Sequence, residues 1–274
     1  MSHDHDTPSK WEISSHAALP VVLMLFIQML AHYIGSPANS IFLSPYLIAF
    51  FVAALLALVV LWKGQICPGQ KGRLAFVLPF LAAFALGNFL YTAFFTPKHI
   101  LLSLANLAAL FIPLLYWRFP DDEPMQKIFS YLGFALGAIG ILAYSICYWV
   151  ELPSLLNWVR GNYFAQIQLG LLLLGWYMML AKSRLDGFFK LLVQLSLIVL
   201  IFNYIWVIFV LYQELNIMPE LATLPYFAFF ALQFVVLAML AWLLIGKQGK
   251  NIKNPVAWTA ATFLSMLYPL TNIF

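Results

Sequence analysis

Nine apolar runs of roughly membrane-spanning length follow one another from Ala17 to the end of the chain, with breaks of at most about a dozen residues between them. A helix needs about twenty mostly apolar residues to cross roughly 30 Å of hydrocarbon. The runs at 17–35, 41–62, 74–95, 100–117, 128–150, 163–181, 191–213, 226–246 and 256–273 come close to that length. Charges, prolines and glycines collect in the breaks, as in Gly35-Ser36-Pro37, Lys63 to Arg73, Arg118 to Lys127, Lys182 to Lys190 and Lys247 to Pro255. No break has room for a soluble domain. The expected fold is therefore all-α: a polytopic transmembrane bundle of about nine helices, with a cytoplasmic tail at 1–16 and one transmembrane helical domain at 17–274.

Composition closes the alternative. Hydrophobic residues make up 64% of the 274 and charged residues 9%, against about 25% charged in a soluble domain. That much apolar surface finds cover on all sides only in lipid. The first run follows a tail with Asp4, Asp6 and Glu12 against Lys10, whereas a cleavable signal begins positive and carries a shorter apolar stretch. It reads as a retained helix.

Alternate loops differ in charge. Lys10, Lys63, Lys71, Arg73, Arg118, Lys127, Lys182, Arg184, Lys190, Lys247, Lys250 and Lys253 fall on one side, and only Lys98 and Arg160 on the other. Cytoplasmic segments retain positive charge, so the N-terminus is expected inside and Phe274 outside, in a multi-pass protein of the inner (plasma) membrane. Aromatic residues near the run ends, Tyr46, Trp62, Tyr116, Trp117, Tyr148, Trp149, Trp158, Tyr163, Tyr212, Tyr226 and Trp258, suit interfacial belts. A net charge of +4 spread over many short loops makes no stripe that could follow a phosphate backbone, which argues against nucleic acid. Cys67 and Cys147 fall at opposite ends of the bundle and cannot bridge.

All ten acidic residues are expected outside the hydrocarbon, with Glu151, Glu214 and Glu220 at the outer edge. Proton- and sodium-coupled pumps rely on intramembrane carboxylates, so their absence counts against such coupling. No Asp-rich or His-box spacing points to a metal, and no Ser or Cys nucleophile motif stands in the chain. The His3-Asp4-His5-Asp6 tail and the Asp121-Asp122-Glu123 turn read as solvated segments.

Neutral polar side chains enter the spans unevenly. Gln28 and His32 are i,i+4 neighbours, Asn88 and Thr92 likewise with Tyr91 beside them, and Ser103 and Asn106 are i,i+3. Helical periodicity makes each pair a stripe on one face. With the expected orientation these stripes, with Tyr144, Gln166 and Gln168, lie in the outer half, and Asn203 and Gln233 nearer the middle. A polar group facing lipid forfeits its hydrogen bonds, so the stripes turn inward. They then either clamp helices together or line a pocket.

The candidate ligand-binding residues are Gln28, His32, Asn88, Tyr91, Asn106, Gln168 and Asn203, a neutral set of donors and acceptors suited to a small uncharged molecule, a quinone or a lipid head group. No catalytic residue and no cofactor are expected, although His32 and His99 stand at a similar level and invite comparison with a haem pair. Gly133 and Gly137 form G-x-x-x-G, continued by Gly140, a face for close packing within the bundle or against a second copy. Pro79, Pro113 and Pro269 lie within apolar runs and mark kinks or tolerated bends. The favoured reading is a non-enzymatic protein that binds or translocates a small uncharged or hydrophobic molecule through an outer pocket. The alternatives are an accessory or scaffold subunit with a membrane-protein partner, and a haem- or quinone-linked enzyme.

Overall fold

A computed structural model describes residues 9–37, 39–64, 66–117, 119–152, 162–245 and 252–272. Among the described residues there are helices and loops and no strands. The helices are α1 (Lys10–Gly35), α2 (Leu47–Lys63), α3 (Pro68–Val77), α4 (Leu81–Phe94), α5 (Ile100–Trp117), α6 (Glu123–Glu151), α7 (Tyr163–Leu180), α8 (Asp186–Ile217), α9 (Leu224–Ile245) and α10 (Pro255–Met266). A 3₁₀ turn at Leu78–Phe80 joins α3 to α4, and another at Tyr268–Asn272 follows α10. The first holds Pro79, whose missing N–H breaks the regular ladder at that point.

Among the described residues, seven helices are long and apolar enough to cross a membrane: α1, the continuous Pro68–Phe94 rod, α5, α6, α7, α8 and α9. The apolar α2 has 17 residues and α10 has 12. Every expected run coincides with a helical segment, but the run at 41–62 becomes helical only at Leu47. Pro45 explains the delay, because a proline disfavours helical geometry in the residue before it. At the other end of the chain's first helix the boundary moves outward. α1 begins at Lys10, within the segment expected as a 1–16 tail, because the Ser9 hydroxyl accepts the Glu12 backbone N–H at 3.2 Å and caps it.

Burial divides the helices. The hydrophobic window of α7 is 72% buried and those of α8 and α9 are 28% buried, so α7 is central and α8 and α9 are peripheral. α2 joins α7 in the middle, with Leu47 to Phe51, Ala53, Ala54, Ala57 and Leu58 all inside. Protein on every side explains how a short helix serves there. The exposed faces are apolar: on α8, Ile198, Ile201, Ile205, Ile208 and Tyr212 stand out at helical spacing, the stripe that lipid accepts and water does not.

Glycines set the closest approaches. Gly133, Gly137 and Gly140 turn toward Leu58, Leu55 and Phe51, so α2 fills the small-residue face of α6 from within the same chain. That face is not open to a second copy. Gly170 on α7 faces the Ala49 carbonyl, where an added Cβ would lie 2.6 Å from the oxygen.

The aromatic residues split. Trp117, Trp149 and Tyr212 are 63–71% exposed, as interfacial belts would be. Tyr46, Tyr116, Tyr148, Tyr226 and Trp258 are buried instead. Tyr46 donates to the Met266 carbonyl, Tyr116 to Ala54, and the Trp258 indole to Ile252 at 2.7 Å. An aromatic ring with a polar tip suits a helix end whether lipid or protein covers it. Glu214, expected at the outer edge, is 6% exposed on the inward face of α8. Residues of the N-terminal His3-Asp4-His5-Asp6 tail, Arg118, Trp158, Arg160, Lys247, Lys250 and Phe274 lie outside the described residues.

Candidate functional site

Helix α2 opens with backbone N–H groups that have no partner in their own helix, and Tyr46 at its N-cap gives no side-chain cap. Other helices supply the partners. The Gln166 side-chain carbonyl on α7 accepts the Ile48 N–H at 2.9 Å. Just upstream, the Ser44 hydroxyl donates to Gln28 Oε1 at 2.6 Å, and the Ser44 carbonyl accepts the Tyr144 hydroxyl at 2.7 Å. Tyr268 donates to the Pro45 carbonyl, and Tyr46 to Met266. Residues 44–48 thus tie α1, α6, α7 and α10 together at one end of the bundle.

From this knot a chain of amides runs outward through α1, α4 and α5. Gln28 Nε2 donates to Asn88 Oδ1 at 3.2 Å, Asn88 Nδ2 donates to Asn106 Oδ1, and Asn106 Nδ2 donates to the Thr92 hydroxyl at 3.1 Å. Thr92 returns its proton to the backbone carbonyls of Asn88 and Phe89. Gln28, Asn88 and Asn106 are fully buried, and each amide both donates and accepts. One turn further along the same helices, His32 Nδ1 meets the Tyr91 hydroxyl at 3.0 Å and Nε2 meets the Ser40 hydroxyl at 3.2 Å. Phe42 packs edge-on to the imidazole. Five of the seven expected residues therefore fall into two neighbouring groups on α1, α4 and α5: the buried chain Gln28, Asn88 and Asn106, and, one turn away, the partly exposed pair His32 and Tyr91.

Gln168 and Asn203 stand elsewhere, on α7 and α8. Asn203 Oδ1 accepts from Asn162, whose own carbonyl caps α7 through Phe164 N and Ala165 N. Asn203 Nδ2 has no hydrogen-bond partner among the described residues, and neither does either amide atom of Gln168, which is fully buried. Further groups share that state: the Ser196 hydroxyl on α8, Gln233 Oε1 on α9 and the Ser265 hydroxyl on α10, and, away from them, Gln70 Nε2, the Ser130 hydroxyl and the Trp176 indole N–H.

Their levels can be counted from contacts between antiparallel neighbours. Thr262 donates to the Leu172 carbonyl across α10 and α7, which sets Gln168 opposite Ser265 and Met266. Phe164 stacks on Phe202 across α7 and α8, which sets Gln168 opposite Ile198, beside Ser196. Tyr204 stacks on Phe230 across α8 and α9, which sets Gln233 near Ile201. Four helices thus bring unpartnered amides and hydroxyls to within about one helical turn of a common level.

The chemistry on offer is neutral hydrogen bonding. Among the described residues no three His, Cys, Asp or Glu side chains gather as a metal site. The two histidines do not fit a shared haem. His32 has both ring nitrogens engaged as above, and His99 has Nδ1 3.4 Å from Cys147 Sγ and Nε2 3.3 Å from Glu151. An axial ligand needs one nitrogen free for iron. The His99–Cys147–Glu151 trio escaped the sequence reading, although Cys147 and Glu151 are i,i+4 neighbours. Its thiol is buried, so the trio ties the start of α5 to the end of α6. Cys67 and Cys147 are both free.

A family model described as an integral membrane domain matches residues 6–274. An uncharacterized protein of Haemophilus influenzae is 26% identical over 279 residues, a match that takes in 97% of this chain and 98% of that protein. No solved structure matches the chain.

Proposed function

The chain belongs to the family of integral membrane domains whose model it matches over residues 6–274, and from that premise we propose that it binds and passes a small uncharged molecule through its polar level. It is a multi-pass membrane protein with an all-helical bundle. In this reading all nine apolar segments cross the inner membrane, the lysine-rich end faces the cytoplasm, and residues 44–48 lie in the outer half.

The observation that carries the proposal is Gln168. A fully buried amide with no partner on either atom costs on the order of 1–3 kcal/mol for each unmet group, and lipid cannot supply the missing bonds. Gln168, Ser196, Gln233 and Ser265 lie within about one helical turn of one level and each carries an unmet polar atom; Asn203 Nδ2 adds another nearer the start of α7, where Asn203 meets Asn162. A neutral solute with its own donors and acceptors removes that deficit as it passes, and charge plays no part. The Gln28–Asn88–Asn106 chain is complete in itself and serves as the clamp beside this path. His32 and Tyr91 form the polar rim where the clamp reaches the surface.

Reconstitution tests the proposal. Proteoliposomes given an osmotic step of glycerol or urea should re-swell faster than protein-free vesicles, and Gln168→Leu should remove the difference while leaving the protein folded. Rates equal to those of protein-free vesicles, or unchanged by the substitution, overturn it.

A further inference from the structure

At the lysine-rich end, a groove of ≈ 390 Å³ lies between α1 and α3, lined by residues that include Lys10, Ile13, Gly69, Gly72, Arg73 and Phe76. That volume lies within the range of about 300–1,000 Å³ of small-molecule sites. Among the described residues its lining carries two cations and no acid. The ion pairs among the described residues engage Lys71, His99, Lys127 and Lys253, and leave Lys10 and Arg73 without a carboxylate. Arg73 is fixed in place, since its Nε donates to the Ala181 carbonyl at 2.8 Å. The groove stays open because its wall is glycine: a Cβ on Gly72 would meet nothing within 4 Å, and one on Gly69 only an Arg73 nitrogen at 3.9 Å. α3 also starts there with no side-chain cap and no acid in its first turn, which leaves the positive end of its dipole uncompensated. Phe76 is 42% exposed and extends the wall onto the lipid-facing surface.

We propose that this groove holds the head group of an anionic phospholipid from the leaflet at the lysine-rich end. Lys10 and Arg73 meet the phosphodiester, the glycine wall gives the head group room, and the acyl chains follow Ile13 and Phe76 into the bilayer. A fixed guanidinium and a flexible ammonium beside apolar walls match the split chemistry of a lipid, charged at one end and apolar at the other. A free phosphate would use only the polar end.

Native mass spectrometry of the purified full chain with phosphatidylglycerol, phosphatidylcholine or glycerol phosphate tests this. Phosphatidylglycerol should be retained over phosphatidylcholine. Arg73→Ala should lower its retention about fivefold, matching ~1 kcal/mol per basic residue at an anionic surface. Gly72→Leu should do the same by filling the groove, and with nothing within 4 Å of its Cβ position the variant should keep its fold. Equal retention of the two lipids, or retention unchanged in both variants, overturns the proposal. So does displacement of the lipid by glycerol phosphate, which would assign the groove to a free phosphoester. Retention that appears only after Asp4→Asn and Asp6→Asn would assign it to the chain's own tail, and overturns it as well.

Discussion

Gln28 and Asn88, sixty residues apart in sequence, meet inside the bundle with the Gln28 amide nitrogen 3.2 Å from the Asn88 carbonyl oxygen and neither side chain exposed. The contact joins α1 to α4 and continues through Asn106 to α5. Every member both donates and accepts, and that sets the chain apart from Gln168, neither of whose amide atoms has a partner among the described residues. The same residue types, buried to the same degree, should therefore respond to substitution in opposite ways.

Asn106→Leu should destabilise the protein. It leaves Asn88 Nδ2 without its acceptor and Thr92 without a donor. Orphaned buried groups cost about 1–3 kcal/mol, above the roughly 0.6 kcal/mol of an average interhelical hydrogen bond in a membrane. Thermal unfolding in detergent should show a lower Tm. The double variant Asn88→Leu with Asn106→Leu should lose less than the sum of the two singles.

Gln168→Leu should leave Tm unchanged or raise it, because no partner is orphaned and an unmet amide is removed. The same unfolding experiment checks it. A loss as large as that of Asn106→Leu would mean that Gln168 is part of a clamp.

Gly170→Ala should cost about 1–3 kcal/mol by overpacking, since its new Cβ would lie 2.6 Å from the backbone oxygen of Ala49, which has no rotamer to escape into. Gly187→Ala is the control: nothing lies within 4 Å of its Cβ position, and Tm should hold. Chemical denaturation of the two variants side by side reads the difference.

Much of this architecture is written in the chain, and the reason is physical. Hydrocarbon thickness fixes the length of an apolar run, so all nine helical segments could be placed from hydropathy. Helical spacing put Gln28 and His32, and Asn88 and Thr92, on common faces, and alternating direction put them at one level. The late start of α2 was less visible, because Ile41 to Leu43 are as apolar as the helix itself and only Pro45 marks the break. Ser44 carried no periodic signal, yet its hydroxyl and carbonyl both serve the knot at the start of α2. Ser196 and Ser265 were too small to stand out, and Tyr46 looked interfacial because a ring near a helix end reads alike in lipid and in protein. Which amides are satisfied is a property of neighbours distant in sequence, and no local pattern encodes it.

Sidedness has its own check. A cysteine at Glu220, between α8 and α9, should react with an impermeant maleimide added outside whole cells, and one at Lys182, between α7 and α8, only after the membrane is permeabilised. The reverse pattern would invert the proposed orientation.

The central claim is that the polar level around Gln168 opens to water in the course of function. A Gln168→Cys variant, in a chain whose Cys67 and Cys147 are replaced by alanine, should be modified by a water-soluble methanethiosulfonate in intact membranes, while Val22→Cys on the lipid-facing side of α1 should not. Protection of both positions alike would contradict the account and leave Gln168 sealed within the bundle.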